Sequence, residues 1–325
     1  MTTTGFYYGV DPYGVGEYND GASQAIETSI VNRALTPLPP PIFTGMKLQA
    51  DVIFNDLVLN TIDENNVIWV CTEIDGWWTL PEPEMPDLTR GWSDGSYDAR
   101  GRWTARQITL NGSFFPPAPE YVSAARSALI EAASLVYDGG WLKTNESPTR
   151  ASWVRLSGAP NIQTVSARGR TDFSIGLKAA DPVKYSWNDA DAEGYDSVLL
   201  RCKNVGAGRS GEVVITNDGN IDVTVFMEVA GVVVGDATIH NVTNDSLFTL
   251  IGPSVMPNGT DLMEIDTYSR EIAYNGDSFG ARAMVDVLVD WITLSPGANT
   301  IRFIDEGNAS SNATLTVYYR SGWIG

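Results

Sequence analysis

Hydrophobic and polar residues alternate along most of this chain, and the clearest alternation lies in its last third. Met263 and Ile265 alternate with polar neighbours before a polar stretch at residues 266–270, and Ile272 and Tyr274 do the same after it. Successive side chains of a β-strand point to opposite faces, so a period of two is typical of half-buried strands. The pattern predicts an antiparallel hairpin with its turn at residues 266–270.

The same alternation predicts strands in both halves of the chain. Turn residues separate them, namely Asn55 with Asp56, Asp75 with Gly76, and the run at residues 295–299. The residues expected to share one strand face are, in chain order, Leu48, Ala50, Val52 and Phe54; Val67, Trp69 and Cys71; Ile108 and Leu110; Phe173, Ile175, Leu177 and Ala179; Ile221, Val223, Val225, Met227 and Val229; Ala283, Val285, Val287, Val289 and Trp291; and Leu315, Val317 and Tyr319. Many short strands with frequent turns predict β-sandwich layers.

Residues 118–136 have the period of a helix instead. Pro119 and Glu120 suit a first helical turn, and Gly139 and Gly140 follow at the expected end. The apolar residues at three- and four-residue steps are Val122, Ala125, Leu129, Ala132 and Val136. They form one apolar stripe, so the segment is predicted as the one clear helix of the chain.

A polar, acidic stretch at residues 187–196 divides the chain in two. We predict an N-terminal domain at residues 1–195 that is mainly β with one helix, and an all-β domain at residues 196–325. Residues 1–45 are rich in Gly, Tyr and Pro, which predicts either an extended arm ordered by its surroundings or a loosely packed terminus. Residues 77–105 contain closely spaced prolines and tryptophans and are predicted as a long surface loop, because proline cannot join a central ladder.

Composition narrows the possible functions. The net charge of −19 over 325 residues argues against binding a nucleic-acid backbone, which requires basic patches. No apolar run approaches the roughly 20 residues of a membrane helix, so no membrane insertion is expected. The N-terminal residues lack a basic segment followed by an apolar one, so no secretory signal peptide is expected either.

The residues that carry most enzyme and metal chemistry are scarce. Cys71 and Cys202 lie in apolar runs and are expected to be buried free thiols. His240 is the one histidine and lies in a strand-like run without a nucleophile motif, so a structural role is expected. Zinc sites need clusters of Cys and His, which the sequence does not contain.

Two acidic groups remain as candidates for other chemistry. Residues 189–194 place Asp189, Asp191 and Glu193 before Gly194, like the start of a calcium loop. Leu200 stands where the bidentate glutamate of such a loop would be, so a solvated acidic linker is the alternative. Asp261, Glu264 and Asp266 could in principle serve glycoside hydrolysis, but acids also commonly flank turns. We therefore predict a protein without catalytic, cofactor-binding or metal-binding residues.

The tryptophans of the Pro-rich loop are the remaining candidates for binding. Trp77, Trp78, Trp92 and Trp103 could stack on a protein partner or on sugar rings if they are exposed. The alternative is that they fill the core beside the loop.

Several of these elements, taken in chain order, resemble the siphophage distal tail proteins, the Dit family. The elements that carry the resemblance are Asp75 with Gly76, the strand at residues 106–112, Asp181 with Pro182, residues 217–219 with Gly231, the run at residues 265–267, Asn275 with Gly276, and the turn at residues 294–299. The resemblance covers about residues 48–323.

The resemblance implies a structural component of a long, non-contractile bacteriophage tail. N-terminal domains of this family form a hexameric ring that joins the tail tube protein to the tail-tip hub, with the tape measure protein and DNA passing through the centre. The C-terminal domain would be a jelly roll similar to galectins and carbohydrate-binding modules, serving as a platform for tip or host-adhesion proteins. Such a protein is made in the host cytoplasm and resides in the virion.

A different class of function, a module that binds cell-wall glycans, is the alternative. It requires aromatic side chains exposed on the C-terminal domain. The candidates are Tyr268, Tyr274, Trp291 and Tyr318.

Overall fold

The fold is taken from a computed structural model of the chain. The structure describes residues 52–86, 88–94, 96–98, 100–134, 138–166, 169–205, 208–252, 256–305 and 312–325. The predicted arm at residues 1–45 lies outside the described residues, as do Leu48, Ala50 and Val136. The prediction of a mainly β protein is confirmed, with one helix of more than one turn in the described ranges.

The first half contains thirteen short strands and one regular helix in the described ranges. The strands are β1 (Val52–Phe54), β2 (Leu57–Leu59), β3 (Ile68–Asp75), β4 (Pro83–Glu84), β5 (Leu88–Thr89), β6 (Ser96–Tyr97), β7 (Arg102–Trp103), β8 (Arg106–Phe115), β9 (Gly140–Thr144), β10 (Arg150–Leu156), β11 (Asn161–Thr164), β12 (Thr171–Ala179) and β13 (Lys184–Ser186). The helix, α1 (Val122–Ala133), follows a 3-10 turn at Pro119–Tyr121.

Most of these strands form one antiparallel sheet in the order β2-β1-β9-β10-β12-β8-β3. The predicted alternation is visible in β12, where Phe173, Ile175 and Leu177 are buried. The turn between β1 and β2 contains Asn55 with a positive φ of 53°, a conformation that asparagine tolerates. Gly76, with a φ of 80°, ends β3 where the sequence predicted a stop.

Helix α1 covers the hydrophobic core of this half. Ala125, Leu129 and Ala132 are buried in it, as the three- and four-residue spacing predicted. The helix is shorter than the predicted segment 118–136. It begins after the 3-10 turn and ends at Ala133, because Ser134 leaves the helical conformation with a ψ of 51°.

The second half contains the remaining strands and a second, separate hydrophobic core. The strands are β14 (Asp196–Arg201), β15 (Lys203–Val205), β16 (Gly208–Asn217), β17 (Val223–Thr224), β18 (Phe226–Ala230), β19 (Ala237–Asn241), β20 (Ser246–Leu250), β21 (Leu262–Asp266), β22 (Glu271–Tyr274), β23 (Thr293–Leu294), β24 (Gly297–Asp305), β25 (Thr314–Tyr319) and β26 (Gly322–Trp323). Two five-stranded antiparallel sheets, ordered β14-β25-β18-β21-β22 and β15-β16-β24-β19-β20, share this core.

The predicted hairpin and the predicted turn of this half are both confirmed. Strands β21 and β22 pair in register, with Ile265 opposite Ile272. At the turn before β24, the Asn299 side chain accepts a hydrogen bond from the Ser295 N–H at 3.0 Å and donates to the Ser295 carbonyl at 2.7 Å. Asn299 is fully buried, so its two hydrogen bonds to Ser295 stabilise the turn on its buried side.

The predicted strand at residues 283–291 is wrong. A short helix, α2 (Ser278–Ala281), precedes the segment, and a 3-10 turn at Arg282–Met284 leads into it. It then follows the edge of β20 without forming a ladder, because the Asp286 carboxylate accepts the Leu288 N–H at 3.1 Å and turns the chain outward. Val287 and Leu288 therefore face solvent.

The C-terminal segment lies between the two halves. Strand β26 pairs with β13 of the first half, with Lys184 opposite Trp323. The Gly322 carbonyl accepts the Asn220 N–H of the second half at 2.9 Å. A Cβ on Gly219 would lie 1.8 Å from the Gly322 carbonyl oxygen, so the backbones meet where only glycine fits.

No helix in the described part of the chain has the length and apolar character that a membrane span requires.

Candidate functional site

The Pro- and Trp-rich segment forms a projecting pair of short ladders, which we call the hairpin arm and define as residues 80–104. Strand β4 pairs with β7, with Pro83 opposite Trp103, and β5 pairs with β6 further out. Thr104 closes the base of the arm, donating from its N–H and its hydroxyl to the Glu82 carbonyl at 2.9 and 3.0 Å. The two ends of the arm are therefore adjacent in space.

An exposed ion pair holds the inner ladder. Arg102 Nε donates to a Glu84 carboxylate oxygen at 2.7 Å. This hydrogen bond and the Arg102 charge lower the pKa of Glu84. Both side chains face water, so the pair orients the ladder and contributes little to stability.

The arm presents large apolar side chains to solvent. Trp92 is fully exposed, and Tyr97 is 59% exposed. The other exposed apolar residues on or beside the arm are Trp78, Leu80, Met85 and Trp103. Contiguous exposed aromatics and Met are typical of protein interfaces, so the arm has the chemistry of a contact surface.

The sequence left open whether the four tryptophans are buried or exposed, and the structure divides them. Trp77 is fully buried, and its indole N–H donates to Glu146 Oε1 at 2.8 Å. Trp78, Trp92 and Trp103 are exposed. The core interpretation is correct for Trp77, and the other three are available for contact.

A buried arginine anchors the base of the arm to two distant segments. Arg106 donates to the carbonyls of Gly76 at 3.0 Å, Thr79 at 2.6 Å and Pro182 at 3.0 Å, and it also donates to the Ile324 carbonyl. Burial lowers the pKa of this guanidinium. One side chain thus joins the arm, the segment after β12 and the C-terminus.

A buried lysine lies beside it. Lys184 Nζ donates to the Trp77 carbonyl at 3.1 Å and lies 5.1 Å from the Trp77 ring centroid. Desolvation lowers the pKa of Lys184 to about 8. Sequence reasoning did not single out Arg106 or Lys184 as functional. The available signal for Arg106 was its place on the same strand face as Ile108 and Leu110.

The histidine and the cysteines have structural surroundings. His240 lies in β19, and its Nε2 is 3.0 Å from a carboxylate oxygen of Asp245 at the end of the same hairpin. Cys202 is buried, and its thiol donates to the Phe303 carbonyl. Cys71 is half-buried rather than fully buried, beside a bulge in β3. Burial raises the pKa of each thiol to about 11, which keeps it protonated and unreactive.

The candidate calcium loop is closed by its own hydrogen bonds. The Asp191 carboxylate accepts the N–H groups of Glu193 at 2.9 Å and Tyr195 at 3.1 Å. These bonds lower the pKa of Asp191. Arg320 also donates to the Glu193 carbonyl of this loop. Among the described residues, no group of three or more His, Cys, Asp or Glu is arranged to hold a metal ion.

Two of the three candidate acids of the C-terminal hairpin are held by hydrogen bonds in turns, and the third lies within a strand. Asp261 is buried and accepts hydrogen bonds from the Asn258 N–H at 2.8 Å and from Asn275 Nδ2 at 3.2 Å. Asp266 accepts the Tyr268 N–H at 2.8 Å in the hairpin turn. Glu264 is directly opposite Glu228 on the neighbouring strand. The bonds to Asp261 and Asp266 are those of turn-forming residues.

Of the four aromatic residues that the glycan-binding alternative named, only Tyr268 is largely exposed. Tyr274 and Trp291 pack against the second core. The Tyr318 hydroxyl donates to Glu228 at 2.9 Å, and its ring packs on Phe226. These four residues do not form a common sugar-binding face.

Comparison with known proteins places the chain among phage tail components. Residues 218–323 match the family described as the siphovirus-type tail component, C-terminal domain. No curated protein matches the sequence.

One solved structure shares the overall fold, and a second is similar to a lesser degree. The Dit (gp 19.1) protein of SPP1, described as a paradigm of the hub adsorption apparatus in phages that infect Gram-positive hosts, is 14% identical with a TM-score of 0.53. The similarity covers 83% of this chain and 98% of that one. A chain of the phage P2 baseplate in its activated conformation with calcium is 8% identical with a TM-score of 0.43, covering 83% and 97% of the two chains. The match of residues 218–323 to this tail-component family confirms the resemblance to the siphophage distal tail proteins.

Proposed function

We propose that this protein is a structural subunit of the distal end of a long, non-contractile phage tail, where six copies close into a ring. The ring joins the tail tube protein to the tail-tip hub and leaves a central passage for the tape measure protein and DNA. The match of residues 218–323 to a tail-component family carries this proposal. The fold shared with a phage hub protein over most of both chains supports it.

In this proposal residues 1–195 form the ring and residues 196–325 form an outward jelly roll that serves as a platform for tip and host-adhesion proteins. Two hydrophobic cores, one on either side of residues 180–200, support the division. The two five-stranded antiparallel sheets around the second core are compatible with a jelly roll. The protein acts as a scaffold without catalysis and resides in the virion.

The hairpin arm supplies a subunit contact in the ring. A closed ring requires a heterologous interface, in which one surface of a subunit binds a different surface of the next. The arm projects from the sheet, and Trp92, Tyr97 and Met85 at its surface are exposed. Their transfer out of water would stabilise such a contact.

Native mass spectrometry with negative-stain imaging of the purified chain tests the proposal. The full chain should form a six-subunit ring with a central opening. A variant in which a short Gly-Ser linker replaces residues 83–103 should lose the ring and keep its fold, because Glu82 and Thr104 are already hydrogen-bonded to each other.

Substitutions on the arm refine this test. Trp92→Ala combined with Tyr97→Ala should shift the assembly toward monomers, whereas the control Tyr121→Ala, at an exposed aromatic outside the arm, should not. An arm-deleted chain that still forms the same ring would exclude the arm as a contact. A full chain that stays monomeric at every concentration tested would contradict ring closure by this protein alone.

A further inference from the structure

A cleft of about 340 Å³ lies between the two halves of the chain, and no role has been assigned to it above. Its walls come from β9, β10 and the segment after β12 on one side, and from β18 and the turn after β21 on the other. Its aromatic lining consists of Trp141, Trp153, Tyr185, Tyr195, Phe226 and Tyr268. This volume is at the lower end of small-molecule sites, which often lie between domains.

The inner aromatic side chains are held in place by mutual packing. Trp141 and Trp153 face each other across β9 and β10, with ring centroids 5.1 Å apart in an edge-to-face arrangement. The Arg320 guanidinium lies 3.7 Å from the Tyr195 ring centroid and 4.9 Å from that of Trp141. Such packing fixes ring orientations before any ligand arrives.

Two of the rings that line the cleft also present part of their surfaces to solvent. Trp153 of the first half is 42% exposed, and Tyr268 of the second half is 67% exposed. The hydroxyls of Tyr195 and Tyr268 form no hydrogen bond with any residue that the structure describes. The cleft therefore offers free aromatic faces together with free hydroxyl groups.

The charged groups of the cleft are oriented and include both signs. The Asp181 carboxylate accepts the Val183 N–H at 3.0 Å and the Tyr185 hydroxyl at 2.6 Å, and each of its oxygens keeps a lone pair. Asp266 is held in the same way by the turn that carries Tyr268. The Arg320 guanidinium lies in the wall of the cleft, where it donates to the Glu193 carbonyl. A ligand that donates hydrogen bonds to the two carboxylates would complement these groups.

We propose that this cleft binds an uncharged saccharide of one or two rings. Aromatic faces pack against the C–H faces of a pyranose, and sugar hydroxyls can donate to the carboxylates and accept from the tyrosine hydroxyls. A purely apolar ligand would take water from the Asp181 and Asp266 carboxylates without replacing the hydrogen bonds that water makes, which is unfavourable. A phosphate-bearing ligand would meet two carboxylates in a chain of net charge −19.

This inference does not depend on the ring, because the cleft is formed within one chain. It also differs from a sugar face on the C-terminal domain alone, since a bound saccharide would touch both halves. A saccharide bound in the cleft would therefore stabilise the arrangement of the two halves in which both contact it.

Saturation-transfer NMR of the full chain with a panel of uncharged mono- and disaccharides, including N-acetylglucosamine, chitobiose, galactose and maltose, tests the proposal. At least one sugar should bind saturably at or below roughly 10 mM, a range where weak specific sites are detected. Trp153→Ala and Tyr268→Ala should each weaken its binding at least tenfold. The control Tyr121→Ala, at an exposed aromatic residue outside both the cleft and the hairpin arm, should leave the affinity unchanged.

Three outcomes would overturn the proposal: no saturable signal with any sugar of the panel, binding that is insensitive to Trp153→Ala and Tyr268→Ala, or a change in oligomeric state caused by these two substitutions. The last outcome would assign the cleft to a subunit contact. Circular dichroism of both variants checks that they remain folded, which their solvent exposure favours.

Discussion

Replacing Arg106 with methionine is the most direct test of how the arm, the segment after β12 and the C-terminus are joined. Methionine has a similar length but donates no hydrogen bond. The Trp77 carbonyl keeps the Lys184 ammonium as a donor, at 3.1 Å. The carbonyls that lose their side-chain donor are those of Gly76, Thr79, Pro182 and Ile324.

The magnitude follows from these four carbonyls. An unsatisfied buried acceptor costs about 1–3 kcal/mol. The bond to Ile324 is buried and the other three are part-buried, so about 4–12 kcal/mol for four acceptors is an upper limit. Entry of water near the chain terminus and removal of a buried charge offset part of that penalty. We expect the free energy of unfolding to fall by about 3–5 kcal/mol, as for other broken buried networks.

Urea unfolding followed by tryptophan fluorescence measures this change, and hydrogen exchange of the β26 amides shows whether the C-terminus is released. Arg106→Lys should lose less, because one ammonium reaches only some of the carbonyls. Arg155→Met, at an exposed arginine of β10, should change stability by less than about 0.5 kcal/mol. Equal effects of Arg106→Met and Arg155→Met would refute the reasoning.

Two further predictions concern the junction between the halves. Burial lowers the pKa of Lys184 from 10.5 to about 8, so between these pH values the unfolded chain binds more protons. The stability of the wild type relative to Lys184→Met, measured by urea unfolding, should therefore rise as pH increases from 8 toward 10.5, and a flat difference would contradict the burial of a charged lysine. Gly219→Ala should destabilise the protein by about 1–3 kcal/mol, because its Cβ would lie 1.8 Å from the Gly322 carbonyl oxygen. The control Gly158→Ala, which faces open space, should not shift the unfolding midpoint comparably.

The sequence by itself determined most strand faces, because the period of two reports which side of a strand meets the core. Val223, Val225, Met227 and Val229 are all buried, although Val225 lies between two separate strands. Turn positions were also readable from local chemistry. Arg270 has a positive φ of 61° at the end of the predicted 266–270 turn.

The local hydrophobic pattern predicted the wrong element at a place where a side chain redirects the backbone. Residues 283–291 alternate as a strand does, but the Asp286 carboxylate captures the Leu288 N–H and turns the chain outward. The pattern also could not separate Trp77 from Trp78. One is buried and the other is exposed, because Lys184 and Glu146 reach Trp77 from segments that are distant in sequence.

Only the tertiary structure decided the features on which the proposals rest. The Arg106 side chain donates a hydrogen bond to the Ile324 carbonyl, which lies 218 positions later in the sequence. Strand β13 of the first half pairs with β26 near residue 323. The cleft exists because Trp153 and Tyr268, from the two halves of the chain, come to line one cavity. Periodicity within a segment determines which face is apolar, whereas the partner of that segment depends on complementarity between surfaces far apart in sequence, which no local window contains.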